Sequence, residues 1–191
     1  MKTEKVFASI FFVGLIFYFM HWPFAGPLLV VSLSTIAMLY FPGGFYFFCD
    51  KNIERQNLPI SVISGFFLSF IPVGVLFKLL FWPNPQIFLL VGIVTAPVFL
   101  VLIYFSKSNA SEDLKIYYRN MFLRVSVLTI LVVTLYLTPI TALIQIRNRH
   151  NPELAKLKIQ HFTNPENEEY KKQLDDYVKK QDSLEIYENH K

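Results

Sequence analysis

One apolar pattern occurs twice in this chain, and it constrains the fold more than any other feature. Gly14-Leu15-Ile16-Phe17, followed by Trp22-Pro23, returns about sixty residues later as Gly74-Val75-Leu76-Phe77, followed by Trp82-Pro83. Each copy is an apolar run that ends at Trp-Pro, then a few turn-forming residues, then a second apolar run. A repeat of fixed period predicts a repeated structural unit. We expect each unit to be a helical hairpin that carries Trp-Pro at its tip.

The apolar runs are long enough to cross a bilayer. The 191 residues are 53% hydrophobic, and a membrane helix needs about 20 mostly apolar residues. Alternating strand patterns are absent from these runs. We therefore predict an all-α integral membrane protein, with five transmembrane helices arranged as two tandem Trp-Pro-tipped hairpins plus one helix. The predicted spans are Val6–Trp22, Leu28–Phe48, Ile60–Phe81, Ile87–Phe105 and Phe122–Ile146.

Charged segments separate these spans and define the predicted organisation. In chain order we expect a transmembrane hairpin at 1–49, a cytoplasmic loop at 50–59, a second hairpin at 60–105, a cytoplasmic loop at 106–120, a fifth helix at 121–146 and a charged helical tail at 147–191. Two prolines are expected to affect helices. Span two kinks or stops at Pro42, and span five kinks at Pro139.

The formal net charge of +4 lies in the part of the chain that holds the predicted spans and the segments between them. Residues 1–146 hold nine Lys or Arg against five Asp or Glu, whereas 147–191 hold nine of each. The turns at 22–27 and 82–86 carry no basic residue. The positive-inside rule predicts a cell (inner) membrane protein with a cytoplasmic N-terminus and both tips outside. Five spans then place the tail in the periplasm of a Gram-negative cell, whereas Arg147 and Arg149, directly after span five, favour the cytoplasmic side. The charge distribution argues against nucleic acid as a partner.

The tail carries its own helix signals. Asn151-Pro152-Glu153 and Asn164-Pro165-Glu166 each read as a helix start, with Asn at the cap and Pro in the first turn. Beyond the second start, apolar and polar residues recur at alternating spacings of four and three, which is typical of a helix-pairing stripe. A solvated helix, or one on the membrane surface, is the alternative. The stripe contains Tyr170, Leu174, Tyr177, Gln181 and Leu184.

Several residues near the predicted tips and span ends are candidates for interfacial or partner contacts. They are His21, Trp22, Pro23, Lys78, Trp82, Pro83 and Arg124. Lys78 is charged within a span and either makes a specific contact with a partner or extends its amine to the interface. The tryptophans are interpreted as anchors in the aromatic belt, and His21 as a hydrogen-bonding residue that closes its turn. Arg124 is expected to reach the cytoplasmic interface.

Sites for chemistry are not apparent in the sequence. The lone Cys49 cannot form an internal disulfide, and no Cys or His spacing resembles a metal site. None of the five predicted spans contains Asp or Glu, which argues against a proton-driven motor or an ion-coupled transporter. We predict no catalytic, cofactor-binding or metal-binding residues, and we do not expect an enzyme.

The pattern Gly-x-x-Phe-Lys before Trp-Pro resembles the K-x-x-H-W-P-G-A hairpin of the GldL family, inner-membrane proteins of gliding motility and type IX secretion. Lys78, Trp82 and Pro83 match in the second copy; His21, Trp22 and Pro23 match in the first. The resemblance implies a related hairpin. The rotor activity of that family depends on an acidic residue in its second helix, which neither span two nor span four has, so the motor function is not carried over.

These observations favour a non-enzymatic scaffold or accessory subunit of an envelope complex. Its expected partners are the lipid bilayer and either another protein or a second copy, bound through the helix bundle and the tail. The alternative is a membrane sensor or small-solute permeation protein with a cavity between the two hairpins. Small or hydroxyl-bearing residues in spans two and four would then line it, although such residues more often serve helix packing. A lipid-modifying enzyme is a third reading that rests on the membrane location alone.

Overall fold

A computed structural model of the chain describes residues 2–48, 57–108 and 110–188, and within these ranges it is all-helical. The chain divides into two compact units, Met1–Thr138 and Pro139–Lys191. In chain order the helices are α1 (Lys2–Phe19), α2 (Ala25–Phe48), α3 (Leu58–Leu68), α4 (Phe70–Leu79), α5 (Pro85–Ser108), α6 (Glu112–Leu137), α7 (Ile140–Arg147), α8 (Pro152–Thr163) and α9 (Glu168–Glu188).

The first unit is a helix bundle with an apolar core. α1 packs on α2, α2 packs on α3 and α4, and α5 packs on α4 and α6. The core residues come from all of these helices and include Leu29, Ile71, Leu89 and Val132, each almost fully buried. Within the described residues, three helical segments are long and apolar enough to cross a membrane: Leu58–Leu79, Pro85–Ser108 and Leu114–Leu137. A membrane location is therefore plausible on length and composition.

Some prolines of this bundle interrupt a helix and others do not. α2 continues as helix through Pro42, so the predicted stop at that residue is wrong. The span Leu58–Leu79 is interrupted at Ser69, which separates α3 from α4. Pro72 lies one turn beyond Leu68 and has no amide hydrogen for its carbonyl, which accounts for the interruption. The sequence contained this signal, and our expectations did not use it.

Pro139 ends a helix, where we had expected a kink in one. α6 stops at Leu137, Thr138 is extended with φ −75° and ψ 118°, and Pro139 caps the start of α7. The residue before a proline is pushed away from the helical region, which explains the extended Thr138. The predicted span Phe122–Ile146 is therefore wrong in its second part, because 140–146 belongs to α7 in the second unit.

The predicted loop at 106–120 is mostly helical. α5 ends at Ser108 and α6 begins at Glu112, well before the predicted start of the fifth helix. The charged residues of this segment lie on the exposed face of a helix whose other face is buried. Tyr117, Tyr118 and Met121 are buried, while Glu112 and Arg119 are exposed. The predicted loop at 50–59 lies largely outside the described residues, as does Cys49.

The second unit contains α7, α8 and α9. Asn151 caps α8 as predicted, because its side-chain oxygen accepts a hydrogen bond from the Leu154 amide at 3.0 Å. The second predicted start is misplaced. Asn164 caps the C-terminus of α8, and α9 begins at Glu168, where the Asn167 side chain accepts from the Glu169 amide at 2.9 Å. Asn167 completes the turn that Pro165 opens, so the helix starts one turn later.

The predicted stripe on α9 faces α8. α8 and α9 pack together, and Tyr170, Leu174 and Tyr177 are the half-buried residues of α9 among those whose side chains are described. The Tyr177 hydroxyl donates to the Asn151 side chain at 2.9 Å. This part of the stripe therefore makes contacts within the chain. The Leu184 side chain lies outside the described residues.

Candidate functional site

The two Trp-Pro turns have the same backbone conformation. His21 and Phe81 both adopt left-handed φ angles, 59° and 58°, and so do Phe24 and Asn84, at 68° and 56°. The Trp22 amide donates to the Phe17 carbonyl at 3.0 Å, and the Trp82 amide donates to the Phe77 carbonyl at 2.8 Å. A left-handed residue with a hydrogen bond reaching back across it is a common helix ending. Both turns are thus built by the same local interactions.

Aromatic contacts hold the tryptophans in these turns. Trp22 lies edge-on against Phe17 with ring centroids 5.0 Å apart, and Trp82 lies against Phe77 at the same separation. Both tryptophans keep about half of their surface exposed, at 50% and 41%. Pro23 and Pro83 are also exposed. This half-exposed position fits aromatic residues at a membrane–water interface.

His21 and its counterpart Phe81 occupy the strained position of each turn. The His21 amide donates to the Tyr18 carbonyl at 3.4 Å, and the Phe81 amide donates to the Lys78 carbonyl at 3.4 Å. A positive φ is rare for non-glycine residues, less so for His than for a bulky side chain such as Phe. The turns therefore impose their conformation on two different residue types.

Lys78 is buried, with 0% of its surface exposed, and its amine donates to the backbone carbonyl of Leu135. That carbonyl lies in the last turn of α6, and the residue four positions on, Pro139, has no amide hydrogen to offer it. A cation at a helix C-terminus also interacts favourably with the helix dipole. The structure thus gives Lys78 a contact within the chain, as a cap of α6.

Two hydroxyls of the small-residue faces in predicted spans two and four bond within their own helices. Ser32 is fully buried and donates to the Leu28 carbonyl at 2.7 Å. Thr95 donates to the Val91 carbonyl at 2.7 Å. Gly92 faces the core, where an added Cβ would lie 2.6 Å from Ile71. These groups are arranged for helix packing.

Sequence reasoning missed a polar cluster that joins three helices, formed by Glu4 of α1, Tyr40 of α2 and Arg124 of α6. We call it the Glu4 cluster. The Arg124 guanidinium lies 3.1 Å from one Glu4 carboxylate oxygen, and the Tyr40 hydroxyl donates to the other at 2.8 Å. The two charged side chains are only 19% and 16% exposed. Arg124 is therefore ion-paired with α1, a contact that the sequence expectation for this residue did not include.

The Glu4 cluster closes one end of an apolar cavity of about 280 Å³, which we call the interhelical cavity. It lies among α1, α2, α4 and α6. Its polar lining comes from the cluster alone; the rest is aliphatic or aromatic and includes Ala8, Phe11, Leu15, Leu33, Pro72 and Leu131. Three further lining residues, Phe12, Leu123 and Val127, are themselves well exposed. The cavity is therefore open at the side of the bundle.

The second unit holds a separate polar site near Asn148, which is almost fully buried. Lys158 of α8 donates to the Asn148 side chain at 3.1 Å, and the Asn148 amide group donates to the Ile144 carbonyl at 2.7 Å. Burial, together with the nearby positive charge of Arg147, lowers the pKa of Lys158 below its usual value. The arrangement connects α7 to α8.

Among the residues that the structure describes, no three His, Cys, Asp or Glu side chains are grouped to hold a metal ion. No family model matches the chain, and no curated protein or solved structure matches it at a significant level. The resemblance to the GldL hairpin therefore stays a prediction, carried by the residues of the two Trp-Pro turns.

Proposed function

We propose that the protein is a non-enzymatic, polytopic inner-membrane protein that acts as a scaffold or accessory subunit of an envelope complex. Five transmembrane helices would form two like-oriented hairpins, α1–α2 and α3/α4–α5, followed by α6. The N-terminus would be cytoplasmic, with both Trp-Pro tips on the opposite side. The second unit would contribute a further surface for partners.

Contacts at the two ends of the bundle support the like orientation. At one end, Asn57 donates to the Tyr118 hydroxyl at 3.2 Å, beside the hydrogen bond between Ser61 and Tyr117. At the other end, Lys78 donates to Leu135. α6 therefore runs parallel to α3 and α4. The Glu4–Arg124 pair places the start of α1 near the start of α6, and Tyr40 places the end of α2 there too.

The observation that carries the proposal is the apolar outer surface of α5 and α6. In an 18-residue apolar stretch of each helix, only 28% of the α5 stretch and 22% of the α6 stretch are buried in the fold. Large apolar residues cover what remains, among them Val94, Val98, Phe105, Leu123, Ile130 and Leu137. An exposed apolar surface of this extent needs lipid or further helices to cover it.

Purification of the tagged full-length protein in a gentle detergent tests the proposal. We expect a stoichiometric protein partner or a homo-oligomer. Val98→Trp, on the exposed face of α5, should weaken that association, because packed helix interfaces do not accommodate a much larger side chain. Lys107→Trp, at an exposed position in the last turn of the same helix, is the matched control and should leave it unchanged. A clean monomer at every detergent concentration would contradict the proposal.

The permeation alternative has less support. A path between the two hairpins would need polar groups that face a shared cavity, yet Ser32 and Thr95 donate to their own helices. A flux assay in proteoliposomes, across ions and small solutes, distinguishes the two ideas. We expect no signal, and a solute-specific flux would favour permeation.

A further inference from the structure

We propose that the interhelical cavity binds one acyl chain of an anionic bilayer phospholipid, with the headgroup phosphate beside Arg124. This inference goes beyond the scaffold function and does not depend on it. It rests on four observations: the distribution of polar groups in the cavity, its opening, its length and the local charge.

The lining of the cavity is polar at one end and apolar along the rest, which matches an amphiphilic ligand. The charged and hydroxyl groups of its lining belong to the Glu4 cluster at one end, and the remaining surface is hydrocarbon. Ligand sites commonly combine a mostly apolar lining with a few polar groups that fix orientation. A ligand that fits has a hydrocarbon chain with a polar group at one end. A small polar solute would leave most of this lining in contact with polar atoms.

The opening of the cavity faces the side of the bundle. Phe12 of α1 and Val127 of α6 line it and are 60% and 58% exposed. In a membrane, this side of the bundle faces lipid hydrocarbon. A bilayer lipid can therefore move its chain between α1 and α6 laterally, without leaving the membrane.

The length of the cavity matches one leaflet. From Glu4 to Leu15 its lining covers about 16 Å of α1, at 1.5 Å per residue. Half of a hydrocarbon core about 30 Å thick is about 15 Å. The Glu4 cluster would thus lie at headgroup level, and Leu15 near the middle of the bilayer.

Local charge favours an anionic headgroup. Arg124 carries a guanidinium, which suits phosphate oxygens because of its planar set of donors. Lys5 follows Glu4 in α1, and Arg119 precedes Arg124 in α6; both side chains are exposed at the same end. Arg124 pairs with the Glu4 carboxylate, and the phosphate would share Arg124 with it.

Photolabelling tests this site directly. The full-length protein is reconstituted in vesicles of equal parts phosphatidylcholine and phosphatidylglycerol, with a trace of phosphatidylglycerol that carries a diazirine in mid-chain. We expect the label on cavity residues such as Phe11 and Leu131. Ala8→Phe, which fills the cavity, should reduce that label about tenfold. Val94→Phe, which adds the same ring to the outer face of α5, should not. Label spread evenly over all exposed faces would overturn the proposal.

A second measurement addresses the headgroup and the source of the chain. Arg124→Gln should lower the labelling preference for the phosphatidylglycerol probe over a phosphatidylcholine probe about tenfold, because a charge-assisted bond to phosphate is lost. Mass spectrometry of lipid extracted from the unreconstituted wild-type protein should identify a phospholipid. An unchanged preference, or a bound free fatty acid, would overturn the assignment, even if Ala8→Phe failed to fold.

Discussion

Replacing Lys78 by Met is expected to lower the free energy of unfolding by about 1–3 kcal/mol. The amine of Lys78 is buried and donates to the Leu135 carbonyl at the end of α6. Met is close to Lys in shape but has no donor, so the carbonyl would remain without a partner in an apolar environment, which is costly. The melting midpoint of the detergent-solubilised protein, followed by intrinsic Trp fluorescence, reports the change.

Lys107→Met is the matched control. Lys107 lies in the last turn of α5 and is exposed, so its replacement should change stability by less than about 0.5 kcal/mol. Lys78→Arg, which keeps donors at the site, should fall between the two. Equal melting of the Met variants at 78 and 107 would show that the Lys78 amine leaves the Leu135 carbonyl and reaches the interface, as one of our sequence hypotheses held.

Gly92→Ala is expected to destabilise the bundle by about 1–3 kcal/mol. A Cβ at this position would lie 2.6 Å from Cγ1 of Ile71 and 3.1 Å from Cγ2 of Val132. Real side chains do not approach so closely, so the Ile71 side chain must shift and the packing of α5 on α4 and α6 is disturbed. The same Trp fluorescence melt measures the loss, and cross-linking between α5 and α6 would show whether their contact loosens.

Gly26→Ala separates this packing effect from the general effect of removing a glycine. Nothing lies within 4 Å of a Cβ built at Gly26, in the first turn of α2. There the substitution should be neutral or stabilise by up to about 1 kcal/mol, because Ala restricts the unfolded chain. If both variants melted alike, close packing at Gly92 would not be what holds α5 in place.

The helical class and the second pair of apolar helices could be predicted because the signal is local. Long apolar runs ended by Trp-Pro predict helices and their turns, and the structure has long apolar helices at Leu58–Leu79 and Pro85–Ser108. The Asn151 cap of α8 was predictable for the same reason, since cap and helix are adjacent in the chain. The prediction failed where two local effects of proline competed, a kink within a helix and an extended residue before it that ends the helix. Pro139 was read as a kink, yet the extended Thr138 before it ends the helix.

The Glu4 cluster and the Lys78 cap could not be predicted, because both depend on contacts between distant residues. Glu4 and Arg124 meet only after the bundle brings the starts of α1 and α6 together, and each alone reads as a charge at the end of a span. Nothing near Lys78 in the sequence indicates that its amine bonds to the Leu135 carbonyl, 57 positions away. The one sequence signal for the Glu4–Arg124 pair is that the two opposite charges lie at the same predicted membrane depth.

Labelling of single cysteines in intact cells tests the like-oriented arrangement most directly. In a Cys49→Ser background, cysteines at the exposed tip positions Pro23 and Pro83 should both react with a membrane-impermeant maleimide added from outside. A cysteine at Ser108, which is exposed at the other end of α5, should react only after the membrane is permeabilised. Reaction at Ser108 with both tips silent, or reaction at only one of the two tips, would contradict the arrangement.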